Sequence, residues 1–209
     1  MAYDLQEQEQ IDSLKAFWQQ WGKLIGGAVL AVTISYLGYK GYAYYQAGQA
    51  AKAAVVFADL EQASATADIA KVKASANLLQ SDYAGTSFAA EGALLAAKVA
   101  FDKNDTATAQ TQLSWVVANS KDEALVAVAH LRLAAILLDQ KRYDGAIAEL
   151  TQAHPSSFDA LFLDQKGDVY AAKGEQAAAR DAYKGALAKL QGESPNRQFI
   201  QTKLDALGG

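Results

Sequence analysis

Cysteine is absent from the chain. That excludes disulfide frameworks, thiolate zinc sites and cysteine nucleophiles, and it leaves the redox compartment open. Proline is scarce, with two residues in all, and period-2 alternation of apolar and polar residues is hard to find. Alanine, the best helix former, dominates instead. The expectation is an all-α chain. Basic clusters are missing as well. The formal net charge is −4 and the pI is near 5.2, and no Lys/Arg group could neutralise several phosphates at once, so the chain is expected to have no nucleic-acid partner. No closely spaced metal-ligand pattern, nucleophile elbow or phosphate loop is present. The residues therefore point to no catalytic, metal or cofactor site, and an enzymatic reading survives only as an active site without a motif.

What the chain does have is one uncharged apolar run, Leu24 to Tyr39, framed by Lys23 and Lys40. As a helix it spans on the order of 24 Å, short of a ~30 Å hydrocarbon core. Lys23 and Lys40 can bury their methylene stems and lift their ammonium groups to the headgroups, which extends the usable helix from Trp21 to about Tyr42. Trp18 and Trp21 then mark one interface, and Tyr36, Tyr39, Tyr42, Tyr44 and Tyr45 mark the other. The predicted organisation is a short tail at 1–22, a transmembrane signal anchor at 23–45 and a soluble helical domain at 46–209. Three other readings compete. A buried core helix would not gather aromatics and lysines at both ends. A signal peptide cleaved near Ala51-Lys52-Ala53 would place the site far beyond the run, after a tyrosine-rich stretch. An interfacial helix needs a charged face, which this segment lacks. Orientation is undecided by charge: Lys15 and Lys23 on one side balance Lys40 and Lys52 on the other.

Behind the run the sequence repeats. Gapless segments starting at residues 92, 129 and 162 superimpose at offsets of 37 and 33. Small residues recur at Ala97, Ala134 and Gly167 and again at Ala109, Ala146 and Ala179. Larger residues recur at Leu113, Leu150 and Tyr183. A small residue on each helix of a hairpin lets two backbones approach, and the large residue one turn later fills the space to the next unit. Ser120-Lys-Asp-Glu123 reads as a capping box, Ser156-Ser-Phe-Asp159 as another helix start, and Gly174 as a turn between helices. Ser194-Pro195 reads as the start of a final helix with Phe199, Ile200, Lys203, Leu204 and Leu207 on one face. An earlier helical pair, roughly 42–63 and 68–81, carries no clear repeat signature and reads as a diverged hairpin continuing from the anchor. His130 falls at a packing position of the repeat and His154 precedes Pro155 in a loop, so both read as structural. Trp115 reads as a large core residue following the second helix of the first unit. The Gly26-Gly27 pair lies inside the predicted span and reads as a close-packing surface for a neighbouring helix.

This pattern resembles the tetratricopeptide repeat. Leu163, Gly167, Tyr170, Ala179, Tyr183 and Ala186 fall at that family's spacings, as do Leu133, Ala134, Ala146 and Ala153. The first unit departs from it, with Ala93 for a large residue and Thr106 for an aromatic one. The expected fold is thus a single N-terminal transmembrane helix followed by a tetratricopeptide-like helical-hairpin solenoid. With the acidic and glutamine-rich start from Tyr3 to Glu9 and the Trp18-Gln-Gln-Trp21-Gly22 approach to the run, the whole chain resembles the YfgM-like ancillary subunits of the SecYEG translocon. The resemblance implies a bacterial inner-membrane protein with a cytoplasmic N-terminus and a periplasmic repeat domain. It also implies association with the SecYEG translocon and a PpiD-type membrane-anchored periplasmic chaperone, and a co-chaperone role in handling exported proteins.

Repeat solenoids bind through the concave face of their first helices. Extrapolating the register places Leu94, Lys98 and Phe101 there, then Leu131, Ala135 and Leu138, then Asp164, Asp168 and Ala171. The predicted groove is apolar at one end and acidic at the other, and it lacks the Lys/Asn/Arg set that grips a C-terminal carboxylate. Its expected occupant is an apolar segment of a partner or an unfolded exported client, while residues 24–39 meet lipid. Two alternatives stay open: Leu94, Phe101, Leu131 and Leu138 are ordinary core, or the chain is a membrane-anchored structural or self-assembly scaffold unconnected to the translocon.

Overall fold

The computed structural model of the chain describes residues 2–190 and 195–208, with side chains from residue 8 onward and, in the last stretch, from residue 196. The elements are α1 (Ala2–Ala65), α2 (Ile69–Asp82), α3 (Ser87–Asp102), α4 (Thr106–Asn119), α5 (Glu123–Asp139), α6 (Tyr143–Glu149), a 3₁₀ turn at Ser156–Phe158, α7 (Asp159–Lys173), α8 (Gln176–Lys189) and α9 (Pro195–Ala206). Among the described residues there is no strand. The chain falls into two compact units, one up to Gln49 and one from Ala50 onward.

The first unit is the leading part of α1 alone. Its apolar stretch is long enough to cross a membrane by length and composition, and Leu24, Val29, Leu30, Val32, Ile34 and Leu37 are all exposed. The two aliphatic hydroxyls within the stretch are satisfied inside the helix: Thr33 Oγ1 donates to the Val29 carbonyl and Ser35 Oγ to the Ala31 carbonyl, each at 2.8 Å. Such back-bonding is what a polar side chain needs where water is absent. On the far side, Gln46 and Gln49 donate to the hydroxyls of Tyr42 and Tyr45 at 2.6 and 2.7 Å.

The second unit is a solenoid of hairpins, and its core falls into four successive clusters. The first joins Ala53, Leu60 and Ala63 of α1 to Val72, Ala76 and Leu79 of α2 and to Ala89 and Ala96 of α3. The second joins α3 and α4 to Ala129, Leu133 and Ile136 of α5. The third joins α5 and α6 to Phe162 and Val169 of α7, and the fourth joins α8 to Ile200 and Leu204 of α9. Each of the first three clusters binds one hairpin to the first helix of the next and the fourth binds the last hairpin to α9, so stability is a chain of nearest-neighbour interfaces. The small-then-large pattern explains the spacing: Ala97, Ala134, Ala109, Ala146, Ala179, Leu113, Leu150 and Tyr183 are all buried. A Cβ at Gly167 would lie closer than 3.0 Å to three atoms of the Tyr183 ring, so only glycine fits.

The pair without a repeat signature is a fourth unit. Helices α1, α3, α5 and α7 end in a left-handed residue at Ala67 (φ 55°), Asn104 (φ 61°), Lys141 (φ 58°) and Gly174 (φ 87°). These positions are offset by 37, 37 and 33, the same steps as the sequence repeat with one unit added. The residue after each cap starts the second helix, and Asp68 and Asp105 do so by accepting from the Lys71 and Thr108 backbone N–H groups at 3.1 and 3.0 Å. One step of 37 back from Ala97, Ala109 and Leu113 stand Leu60, Val72 and Ala76, all buried. Sizes are exchanged there, large for small on both helices and small for large one turn later. The first helix of this unit is the end of α1 rather than a separate element.

Three expected details differ. The α5 N-cap is Asp122, whose carboxylate accepts from the Ala124 and Leu125 N–H groups at 2.8 and 3.2 Å. Ser120 instead accepts from the Asp122 N–H at 3.1 Å, so a carboxylate two residues closer displaces the capping box. Ser156 opens a 3₁₀ turn, and α7 starts behind Phe158 without a side-chain cap. Trp115 lies within α4, not after it, packed against the first two clusters. The Ser194 cap lies outside the described residues.

L-residues in the left-handed region cost about 1 kcal/mol or more, and glycine relieves this. Lys141→Gly is therefore expected to raise stability by about 0.5–1 kcal/mol and Gly174→Ala to lower it by about 1 kcal/mol. Thermal unfolding of the full chain in detergent checks this, and equal signs for the two variants would refute the assignment. Gly167→Ala should cost about 1–3 kcal/mol in the same assay by driving Tyr183 from its site.

Candidate partner-binding groove

Position in the repeat separates the expected groove residues by burial. Leu94 is 7% exposed and belongs to the second core cluster. Leu131 and Leu138 are partly buried against the third cluster. Lys98 and Phe101 stand open to solvent, with Ala135 half-buried. Between α3 and α5, Phe101, Ala97, Ala135, Ile136 and the α4 residue Leu113 enclose a mainly apolar cavity of about 280 Å³, with Lys98 and Arg132 also lining it. Lys98 Nζ is paired with Asp102 at 2.7 Å.

The acidic end is engaged within the chain. Lys203 on α9 sits 2.9 Å from an Asp164 oxygen and 2.8 Å from Asp168. The Tyr183 hydroxyl donates to Asp168 at 2.8 Å. Arg197 adds hydrogen bonds to the Leu187 and Leu190 carbonyls at 3.1 and 2.7 Å, which hold α9 to the end of α8. Ile200 and Leu204 are buried, but Phe199 is 71% exposed and lies off the packing face expected for it. Helix periodicity explains this: Ile200, Leu204 and Leu207 recur every three to four residues, and the residue one before Ile200 is turned by about 100°.

One ammonium between two carboxylates sets the charge states. Burial works against the Lys203 charge, yet its two carboxylate partners outweigh it and its pKa is raised. Burial raises the Asp164 pKa despite Lys203, whose ammonium is shared with Asp168. Burial, then the Asp168 hydrogen bond, pushes the Tyr183 phenol up strongly.

Sequence reasoning missed a link between units. Arg132 Nη1 donates to the Leu94 carbonyl at 2.9 Å, and Gln165 Nε2 donates to the Leu131 carbonyl at 2.9 Å. Donors are 33 apart and acceptors 37, so the same bond is made twice in the repeat. The offset was available in the sequence, but Arg and Gln share no obvious class. The two histidines are structural. His130 is buried with Nδ1 2.6 Å from Glu149. His154 stacks on Phe162 at 3.7 Å between centroids while Nδ1 donates to the Gln152 carbonyl at 2.7 Å.

Comparison with known proteins agrees with this architecture. Residues 15–209 match the model of a tetratricopeptide repeat-like domain. A Neisseria gonorrhoeae protein named an ancillary SecYEG translocon subunit is 37% identical over 99% of this chain and 100% of its own length. The chain belongs to this family of ancillary SecYEG translocon subunits. Family members of the same name from Haemophilus influenzae, 30% identical over 99% of this chain and 100% of theirs, and Escherichia coli, 27% identical over 87% of each, extend the match. These ancillary translocon subunits are named for a subunit role rather than a reaction.

Lys203 and Tyr183 hold their protons more tightly folded than unfolded. The native chain thus binds more protons above the ordinary tyrosine and lysine values of 10.0 and 10.5, and stability falls as pH rises through that range. Unfolding midpoints measured from neutrality to strong alkali should drop there. Lys203→Met should lower stability by about 1–3 kcal/mol at neutral pH, less than a fully buried pair because the three charged side chains keep 22–33% exposure. Unfolding in urea reads this, and no change would mean that the Lys203 pairs do not hold α9.

Proposed function

We propose that the chain is a noncatalytic binding subunit tethered in the bacterial inner membrane beside the SecYEG channel, where it assists a PpiD-type chaperone in handling exported proteins. The observation that carries the reading is the full-length correspondence with relatives named for the translocon, which includes the apolar segment of α1 as well as the hairpins. Residues 24–39 lie in lipid, residues 1–22 in the cytoplasm, and the repeat domain from residue 46 in the periplasm. The exposed apolar side chains, the internally bonded Thr33 and Ser35, and the Trp and Tyr residues at the two ends support a spanning helix. Tethering raises the effective concentration of a binding module at the membrane surface, so a partner or an unfolded client can be held with modest intrinsic affinity. Partners that must be released are suited to such weak contacts.

In spheroplasts, externally added protease should digest the repeat domain while the membrane stays intact. Protection of that domain would overturn the periplasmic placement. Purification of the tagged full chain in mild detergent should bring down channel subunits. Recovery of the chain with only copies of itself would favour the self-assembly scaffold instead.

A further inference from the structure

The repeated bond between first helices separates what position 132 needs for the fold from what it has beyond that. At the equivalent position of the next unit a neutral side chain, Gln165, makes the same bond to a carbonyl at the same 2.9 Å. The positive charge of Arg132 is therefore surplus to that link. It is also unbalanced: among the described residues no carboxylate lies within ion-pair distance of it, while nearby Lys98 has Asp102. Burial lowers the Arg132 pKa with no acidic group to offset it. Arg132 is solvent-exposed apart from its bond to Leu94, so water serves the rest of its guanidinium, and a partner's carboxylate can take that place. Arg132 lines the cavity of about 280 Å³ whose wall includes Phe101, Ala135 and Ile136, and Phe101 is 41% exposed above it. That volume is at the lower limit of ligand pockets and suits one large side chain rather than a free metabolite.

We propose that the cavity between α3 and α5 docks a segment of a partner polypeptide in which a large apolar side chain is followed closely by an acidic one. The apolar side chain fills the space beside Phe101, and the acidic side chain meets the free donors of Arg132. Guanidinium carries five N–H groups and one is engaged at Leu94, which leaves a pair for bidentate carboxylate binding. This deepens the reading of the concave face as a binding surface and rests on it. The occupant is an internal acidic segment rather than a chain terminus: the other cation lining the cavity, Lys98, is already paired with Asp102, so a terminal carboxylate finds no second free cation beside Arg132.

The test uses the full chain in detergent and fluorescein-labelled, C-terminally amidated peptides of Gly/Ser background carrying Leu-Leu and, two residues on, Glu, Gln or Lys. Anisotropy should give binding of the Glu peptide about tenfold or more tighter than the Lys peptide, with Gln between, and a difference that shrinks with salt. Arg132→Gln keeps the bond that Gln165 exemplifies and should erase the discrimination, with circular dichroism confirming the fold. Phe101→Ser should weaken all three peptides alike. Equal binding of Glu and Lys peptides by the unaltered chain would overturn the proposal, as would discrimination that survives Arg132→Gln. So would equal binding of a Glu-free peptide with a free carboxyl terminus. If channel subunits still co-purify when the peptides fail to discriminate, this inference falls and the proposed function stands.

Discussion

The close approach of the two helices in each hairpin is the constraint from which the solenoid follows. In the hairpins from α3 onward it requires a side chain no larger than a methyl group at fixed points, Ala97 against Ala109 and Ala134 against Ala146, and in the last hairpin not even a methyl at Gly167, whereas the first hairpin carries Leu60 and Val72 there. Once two helices sit that close, the larger residue one turn on has nowhere to go but outward. Leu113 and Leu150 join clusters that reach the first helix of the next hairpin, while Tyr183 packs on Gly167 of its own hairpin and joins the cluster that α9 closes. Packing of this sort leaves first helices lined up beside one another, which makes the Arg132 and Gln165 bonds possible and creates the cavity beside Phe101.

At the end of the array the next first helix is missing and α9 stands in for it. Apolar contact by Ile200 and Leu204 is ordinary, but the polar part is particular to this terminus. Asp164 and Asp168 occupy the positions that Leu131 and Ala135 hold in the preceding unit, and Lys203 arrives to balance them. The face that is open and apolar between α3 and α5 is thus closed and charged at α7.

Legibility in the sequence followed chemistry. The apolar run and the three later units were readable because hydropathy and small-residue spacing act at single positions. The unit formed by α2 and the end of α1 was readable only as a diverged hairpin, since Leu60, Val72 and Ala76 keep the buried positions but exchange the sizes. A left-handed cap is recognisable as Gly174 and invisible as Ala67 or Lys141, because the backbone there is set by the helices on either side rather than by the residue. The capping box failed by competition: Ser120 and Asp122 both offered acceptors, and the nearer carboxylate won. The register placed Lys98, Phe101 and Ala135 around one cavity, but no pattern in the sequence distinguished an exposed first-helix leucine from a core one such as Leu94. Nor could it show that Lys203 would reach back to residues 164 and 168.

Among second helices, α6 is the odd one. It has 7 residues where α2, α4 and α8 have 14, and only Ala146 of it is buried. Its missing turns are replaced by a loop in which His154 stacks on Phe162. Cohesion in a linear array is local, so the seam at α6, with half the backbone ladder of its counterparts, is where the solenoid yields first when strained. The third core cluster crosses that seam from α5 and α6 to Phe162 and Val169 of α7, so an opening there costs this cluster alone and leaves the clusters before and after it whole.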